Sequence, residues 1–582
     1  MATERVYRLA RDGEVDAITA DYLAEFNIAW KAIELTTRPD LGYEPNFLEQ
    51  LAWQGGAAAR LLARKRIKVV HDGGALNPRG LAEKVHDYFS SLRIHDMKVA
   101  WVSGDDVAAI VKEGSFGSLK HLDLKGVELN TAKDNILAAN VYTRQSGIVC
   151  ALEAGADIVI CGRCCDASPV MGLAYWWHGW TPTDYDAMAG SLMAGHLVEC
   201  GAYVTGGNSC GFQEIERLHH VGYPIAEISP DGTSVITMPD HSNGAVTVDT
   251  TKAQLLYEIQ GPYYLNPDVI AQIDGARLEE IGKNRVRLSG IKGTAPPPTS
   301  KLAVCLFGGW QAEISAYCAG LGTDAKIALM KDQFLREINP TDFTTLSIEA
   351  YVQMRIFAQT PNKEAIQDFR RAIFYNGMQG YCGLHLSMDW RTMEPRPYVE
   401  YFPSLVSQTK TPLSIQFVGK RNKVFKVPAK KVEGCAASMP QQPNYETRNS
   451  SILSSFGETT QRPLGDLVFA RSGDKGGNAN VGLWVRDARA WPWLQTFLTS
   501  RKLIELLAND WDEKYSVERC EFEHLMAVHF VIRGILQDGV SSSSILDGFG
   551  KSVGEFIRAR HVDLPEELLR AEKRRRKTRA AL

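Results

Sequence analysis

His196 and Glu199 stand three residues apart, with Cys200 four from His196, so all three share one face of a helix that contains them. An imidazole and a carboxylate on one face can act as general acid and base near neutral pH; the alternative is a buried polar pair that holds the helix. The order is the reverse of the Glu-x-x-His di-metal motif, and no second such pair occurs, so a bundle-type metal site is not expected. Gly162-Arg163 and Asp166 follow an apolar run, where a guanidinium can grip a carboxylate or phosphate and an aspartate can orient it, or the two can simply close the loop as an ion pair. His196, Glu199 and Asp166 are therefore the catalytic candidates, and Arg163 the first substrate-binding one.

A second charged loop, Arg471-Ser472-Gly473-Asp474-Lys475-Gly476-Gly477-Asn478, could cradle an anion with backbone N–H groups, which makes Arg471, Asp474, Lys475 and Asn478 binding candidates. The alternative is a sharp hairpin with solvated charges. It lacks the order of a phosphate-binding P-loop, and no G-x-G-x-x-G follows a strand, so no nucleotide or flavin cofactor is expected. Gly207-Asn208-Ser209-Cys210-Gly211 has the G-x-S-x-G spacing of a nucleophile elbow, but that motif needs a strand before it, and a helix precedes this one. Gly206, Gly207 and Asn208 as a tight turn beside the substrate are preferred, with Ser209 as nucleophile the rival reading. Cys161, Cys164 and Cys165 with Cys200 and Cys210 have no second C-x-x-C to complete a zinc site, so core thiols and no bound metal are expected.

What must position these residues is a set of parallel βα units. Ile67 to Val70 leads into His71-Asp72-Gly73-Gly74 and then Asn77-Pro78, an N-cap and first helical residue before Leu81 to Leu92. Lys98 to Val102 leads into Ser103 to Asp106, and Asp157 to Ile160 into Cys161 to Asp166. Polar loops that follow parallel strands open on one sheet edge, where ligands bind, so Asn77 and Asp105 join the binding candidates. Residues 183 to 203 read as a helix capped by Thr183 or Asp184, and Gly222 to Tyr264 as strands. The fold expected is α/β: a large, mostly parallel-sheet domain with antiparallel additions over residues 1–430, a polar linker over 431–462, a small α+β domain over 463–545, and a closing helix and basic tail over 546–582.

At 582 residues the chain exceeds one ordinary core, and 45% hydrophobic with 23% charged residues is a globular balance. A net charge of -3 disfavours nucleic acid and anionic lipid as partners; the one basic run, Lys573 to Lys577, reads as a solvated tail. No stretch approaches a membrane span, no apolar signal core opens the chain, and eleven dispersed cysteines suit a reducing compartment, so a cytoplasmic location is expected. Trp176-Trp177 and Trp491 to Trp493 are compatible with the contacts of a homo-oligomer and equally with core packing.

Six phrases give the chain a wider likeness: DAITADYLAEFNIAW from Asp16, KVVHDGGALNPRGLA from Lys68, AGADIVICGRCCDAS from Ala154, AGHLVECGAYVTGGN from Ala194, LYEIQGPYYLNPDV from Leu256 and RSGDKGGNANVGLW from Arg471. With them the sequence resembles the acyclic terpene utilisation (AtuA-like) family of bacteria and many fungi, and it reads as a fungal member. The resemblance implies a catalytic domain through about residue 430, a ferredoxin-like C-terminal domain, and chemistry on branched terpenoid acyl-CoA compounds. The family opens with a further strand and glycine-rich turn, so one strand of the sheet is expected to be lacking here, or the gene model to be truncated. His385, Asp389, Arg391 and Glu400, and Tyr257, Gln260, Asn266 and Asp268, lie in further family-like stretches and form a second tier of candidates.

The function expected is that of a redox-neutral enzyme acting on a branched acyl, acyl-CoA-like or other carbonyl substrate by hydration, C–C lyase chemistry or hydrolysis. A serine-type ester or lactone hydrolase using Ser209, and a non-catalytic acyl-binding or scaffold protein, are the alternatives.

Overall fold

The computed structural model describes residues 4–130, 135–318, 322–350, 353–419, 424–428 and 434–580. The βα units assemble into one sheet in the order Ala17–Ala20, Lys68–Ala75, Ile158–Gly162, Val99–Ser103, Ser414–Phe417, Val424–Lys426. Its first four strands are parallel and its last two antiparallel. Alternation along the strands explains the layers: Val69, Ile158 and Ile160 pack with helices Asn46–Lys65 and Pro78–Ser91, while Val70, Val159 and Cys161 pack with helix Ser146–Glu153 on the other face. Covered on both faces, these strands can carry ligand groups only at their ends. The segment Ala17–Ala20 is itself such a strand, ending in Asp21.

The antiparallel additions are extensive. Strand Thr299–Tyr317 runs through a second sheet and pairs with Arg396–Ser407, Gln353–Thr360 and Ile136–Val141. Its register sets Leu302 opposite Val141, and Tyr142 N–H donates to Lys301 O at 2.9 Å, which lays this sheet against the ligand edge of the first. Between Gly222 and Tyr264 strands do form, at Ile225–Ile228, Ser234–Thr237 and Tyr263–Leu265, but Val248–Leu255 is a helix. Its Thr and Val content suggests a strand; the Thr247 hydroxyl, accepting from Thr250 N–H at 3.2 Å, and Thr250, whose hydroxyl accepts from Thr247 N–H at 2.9 Å, nucleate the helix instead. The helix anticipated over 183–203 spans Tyr185–Glu199, and residues 201–203 form a tighter turn.

In the C-terminal part, strands Phe469–Lys475, Asn478–Trp484, Ala527–Arg533 and Ser516–Phe522 form an antiparallel sheet with helices Trp491–Phe497 and Ser500–Leu507 on one face. The other face shares a core with the large unit: Phe469, Trp484 and Phe522 pack together with Met188, Leu255 and Leu256. Gly473 and Gly482 permit this approach, since a Cβ would lie 2.2 Å from the Tyr257 ring and 2.7 Å from Leu256 respectively. The polar stretch before it is pinned along the surface, with Gln442 Nε2 donating to Tyr263 O at 2.6 Å and Tyr445 N–H to Arg519 O at 3.0 Å. The basic run is part of helix Glu566–Ala580, which is no loose tail: Leu568 and Leu569 are buried, and Arg576 bonds Glu572 at 3.1 Å and Asp466 O at 3.2 Å. No helix among the described residues is long and apolar enough to cross a membrane.

Candidate active site

Arg163 is the centre of the ligand edge. Its side chain is 3% exposed; Nη2 donates to Asp166 at 2.6 Å, Nη1 to Leu23 O at 2.5 Å, and Nη1 lies 3.7 Å from Asp72. The guanidinium stacks over Tyr142 at 4.0 Å. Asp105 positions this loop rather than facing a ligand alone, because its Oδ2 accepts from Arg163 N–H at 2.9 Å and from Asn140 Nδ2 at 3.0 Å. Gly162 makes room for that carboxyl, which a Cβ would meet at 2.2 Å. Burial pushes Asp105 up to about 6.

Asp21 and Asp72, absent from the sequence candidates, complete the edge. Asp72 Oδ1 accepts from Tyr22 N–H at 2.7 Å and Asp21 Oδ1 from Leu23 N–H at 2.9 Å, which sets the two carboxyls beside each other. Burial and the mutual repulsion raise Asp21 well above the carboxylate range, and burial pushes Asp72 up to about 7. Asp166 behaves oppositely: burial acts upward, but Arg163, Lys475 and Lys301 outweigh it and hold the group below its usual value.

His196 and Glu199 share a helix face as expected, with Nδ1 3.3 Å from Oε1. The other ring nitrogen lies 2.9 Å from Gln254 O, and Gln254 Nε2 donates back to His196 O at 3.0 Å, so the imidazole also clamps helix Tyr185–Glu199 to helix Val248–Leu255. With Nε2 directed at Gln254 O, Nδ1 is the ring nitrogen left facing the Glu199 carboxyl. Burial pushes Glu199 up to about 7 against the pull of His196, and its second oxygen has no partner among the described residues.

The hairpin of the C-terminal sheet closes over this edge. Strand pairing runs through the charged motif to Lys475 opposite Asn478, leaving Gly476-Gly477 as the turn. Lys475 lies 3.7 Å from Glu258 and interacts with Asp166, Glu199 and Tyr264. Burial and Glu258 push Asp474 up to about 8. Lys301 bonds Glu25 at 2.8 Å near the Tyr142–Tyr401 hydroxyl pair, itself 2.8 Å apart. Burial is the largest influence on Asp166, Lys301 and Lys475, yet their side chains keep 19%, 24% and 31% exposure. These partly exposed charges lie where solvent reaches the sheet edge.

Other candidates are engaged elsewhere. Asn77 caps helix Pro78–Ser91, accepting from Gly80 N–H at 2.9 Å and donating to Leu41 O at 2.9 Å. Asn478 donates to Asp123 at 3.0 Å and accepts from Gly534 N–H at 3.0 Å. Arg471 and Asn208 line a separate pocket of 460 Å³ between residues 207–218 and the C-terminal sheet, where Arg471 Nη1 donates to Asn208 O at 3.1 Å. Ser209 borders it too, but follows a left-handed Asn208 in a run of short turns, and its hydroxyl accepts only from Gly211 N–H at 3.2 Å; the strand-to-helix elbow is not formed.

In the second tier, Asp268 accepts from Gln145 N–H and Asn266 from Asp268 N–H, while Asp389 and Arg391 pair with each other at the surface and His385 is exposed against Tyr317. Cys161 and Cys164 are buried thiols, the latter pushed well up by its bond to Cys161 and by burial. Among the described residues no three His, Cys, Asp or Glu side chains are grouped as a metal ion requires.

This edge thus joins two neighbouring carboxyls, a carboxyl–imidazole pair and three cations, a set able to move protons beside an oxyanion. No curated protein and no solved structure matches the chain. Residues 462–563 match the AtuA ferredoxin-like domain. Residues 2–417 match the acyclic terpene utilisation family protein AtuA, and the chain belongs to that family.

Proposed function

We propose that the protein is an enzyme that transfers protons next to a carbonyl group of a branched, terpenoid-like acyl or acyl-CoA substrate, without net oxidation or reduction, in a hydration, C–C cleavage or hydrolysis. Family membership implies involvement in acyclic terpene utilisation; the reaction class rests on the charged groups at the sheet edge. The observation that carries it is the convergence of Asp72, Asp166 and Arg163 within ion-pair reach at the sheet edge, with Asp21 beside them and the charges of Lys475 and Glu199 acting on the same group. Arg163 and Lys475 flank Asp166, so an enolate or carboxylate oxygen entering between them would meet two cations already held in place. Asp72 beside Asp21, and Glu199 beside His196, are each pushed up to about 7 and can give or take a proton near neutrality.

The test is to delete the gene and profile metabolites, then incubate whatever accumulates with the purified chain in heavy water. A branched acyl species that accumulates, and that the protein labels with deuterium beside its carbonyl or converts without a redox partner, supports the reading. An unchanged branched acyl pool, or turnover that consumes an oxidant stoichiometrically, overturns it.

A further inference from the structure

We propose that the 460 Å³ pocket between residues 207–218 and the C-terminal sheet binds a doubly charged phosphoryl group. Arg471 is 4% exposed, its Nη2 has no hydrogen-bond partner, and among the described residues no carboxylate stands within ion-pair distance of it. A buried charge without a counter-ion is strongly disfavoured unless a ligand supplies one. Lys551, on the same wall, donates to Tyr203 OH at 3.0 Å and likewise has no carboxylate partner among the described residues. Both cations lie against the Tyr203 ring, the guanidinium carbon at 4.6 Å and the ammonium at 5.4 Å from its centre, so two uncompensated charges share one pocket. Glu555 at the rim does not neutralise them, being held by Arg558 at 2.5 Å.

The faces of Tyr203 and Tyr257 compensate a guanidinium only in part, since a ring quadrupole carries no net charge. A carboxylate would leave one cation unmatched, whereas a phosphate dianion matches both and offers oxygens to the flat fork of Arg471 and the point charge of Lys551. Phe212 and Leu218, which also line the pocket, suit an organic portion attached to that group. This goes beyond the acid–base reading and does not depend on it, because it is tested by binding alone.

The experiment is calorimetric titration of the full chain at low salt with inorganic pyrophosphate and, separately, with coenzyme A. Binding of at least one is expected, weakened about 10- to 100-fold in Lys551→Met at unchanged melting temperature. Arg471→Lys, which keeps the charge and removes the fork, should weaken it as well; if that variant does not fold, Lys551→Met decides alone. Tighter binding of coenzyme A assigns the phosphoryl group to a thioester carrier, and equal or tighter binding of pyrophosphate to a free phosphorylated species. Absence of binding by both at millimolar concentration, or unchanged affinity in Lys551→Met, overturns the proposal.

Discussion

Tyr22 gives its backbone N–H to Asp72 at 2.7 Å, and this one bond ties the end of strand Ala17–Ala20 to the end of strand Lys68–Ala75 with Asp21 turned towards its carboxyl neighbour. Burial holds both carboxyls above the ordinary carboxylate range, and the charge of Asp72 further disfavours ionisation of Asp21. Asp72→Asn should lower turnover by about 10²- to 10⁴-fold and remove one limb of the pH–rate profile. A profile that keeps both limbs in Asp72→Asn would take the pair out of the proton-transfer step.

His196 and Glu199 should separate in their effects. Because His196 joins two helices through Gln254, His196→Ala should cost about 1–3 kcal/mol of stability as well as activity. Glu199→Gln keeps shape and leaves that clamp intact, so the melting temperature should hold while turnover falls about 100-fold or more. Melting and turnover measured on the same preparations check this, and near-normal turnover in Glu199→Gln would assign the pair to helix packing.

Stability should fall as pH rises from about 5 to 8. The native state holds protons on Asp72, Glu199 and Asp474, raised to about 7, 7 and 8, where the unfolded chain has already released them, so unfolding gains as pH climbs through that window. His71 and His529, lowered to about 3 by burial, act in the other direction: the unfolded chain takes up protons below its ordinary histidine value near 6.5, so acid also destabilises. Denaturant midpoints recorded across the range should peak between these limbs, and Asp72→Asn should flatten the alkaline side. A midpoint that keeps rising to pH 8 contradicts the neutral carboxyls.

Gly473→Ala tests the seating of the C-terminal sheet. The added methyl would meet the Tyr257 ring at 2.2 Å, so overpacking of about 1–3 kcal/mol is expected, with Lys475, two residues along the strand, displaced from Glu258. Turnover should therefore drop further than the stability loss explains. An unchanged melting temperature would mean that the hairpin does not press on Tyr257.

Strand ends were legible in the sequence because a buried parallel strand is a short apolar run that must stop at polar residues; that logic located Asp105, Arg163 and Asp166, and helical spacing put His196 and Glu199 on one face. The same logic applied to Ala17–Ala20 would have reached Asp21, but this short edge strand is weakly patterned. Lys301, Tyr401 and Glu25 had no local signal at all. They meet only because strand Thr299–Tyr317 pairs in register with segments remote in the sequence, and such pairing is decided by which faces can be buried together. Tertiary structure alone also decided which carboxyls carry protons, since burial among neighbours of like and unlike charge, and not residue type, separates Asp166 from Asp72.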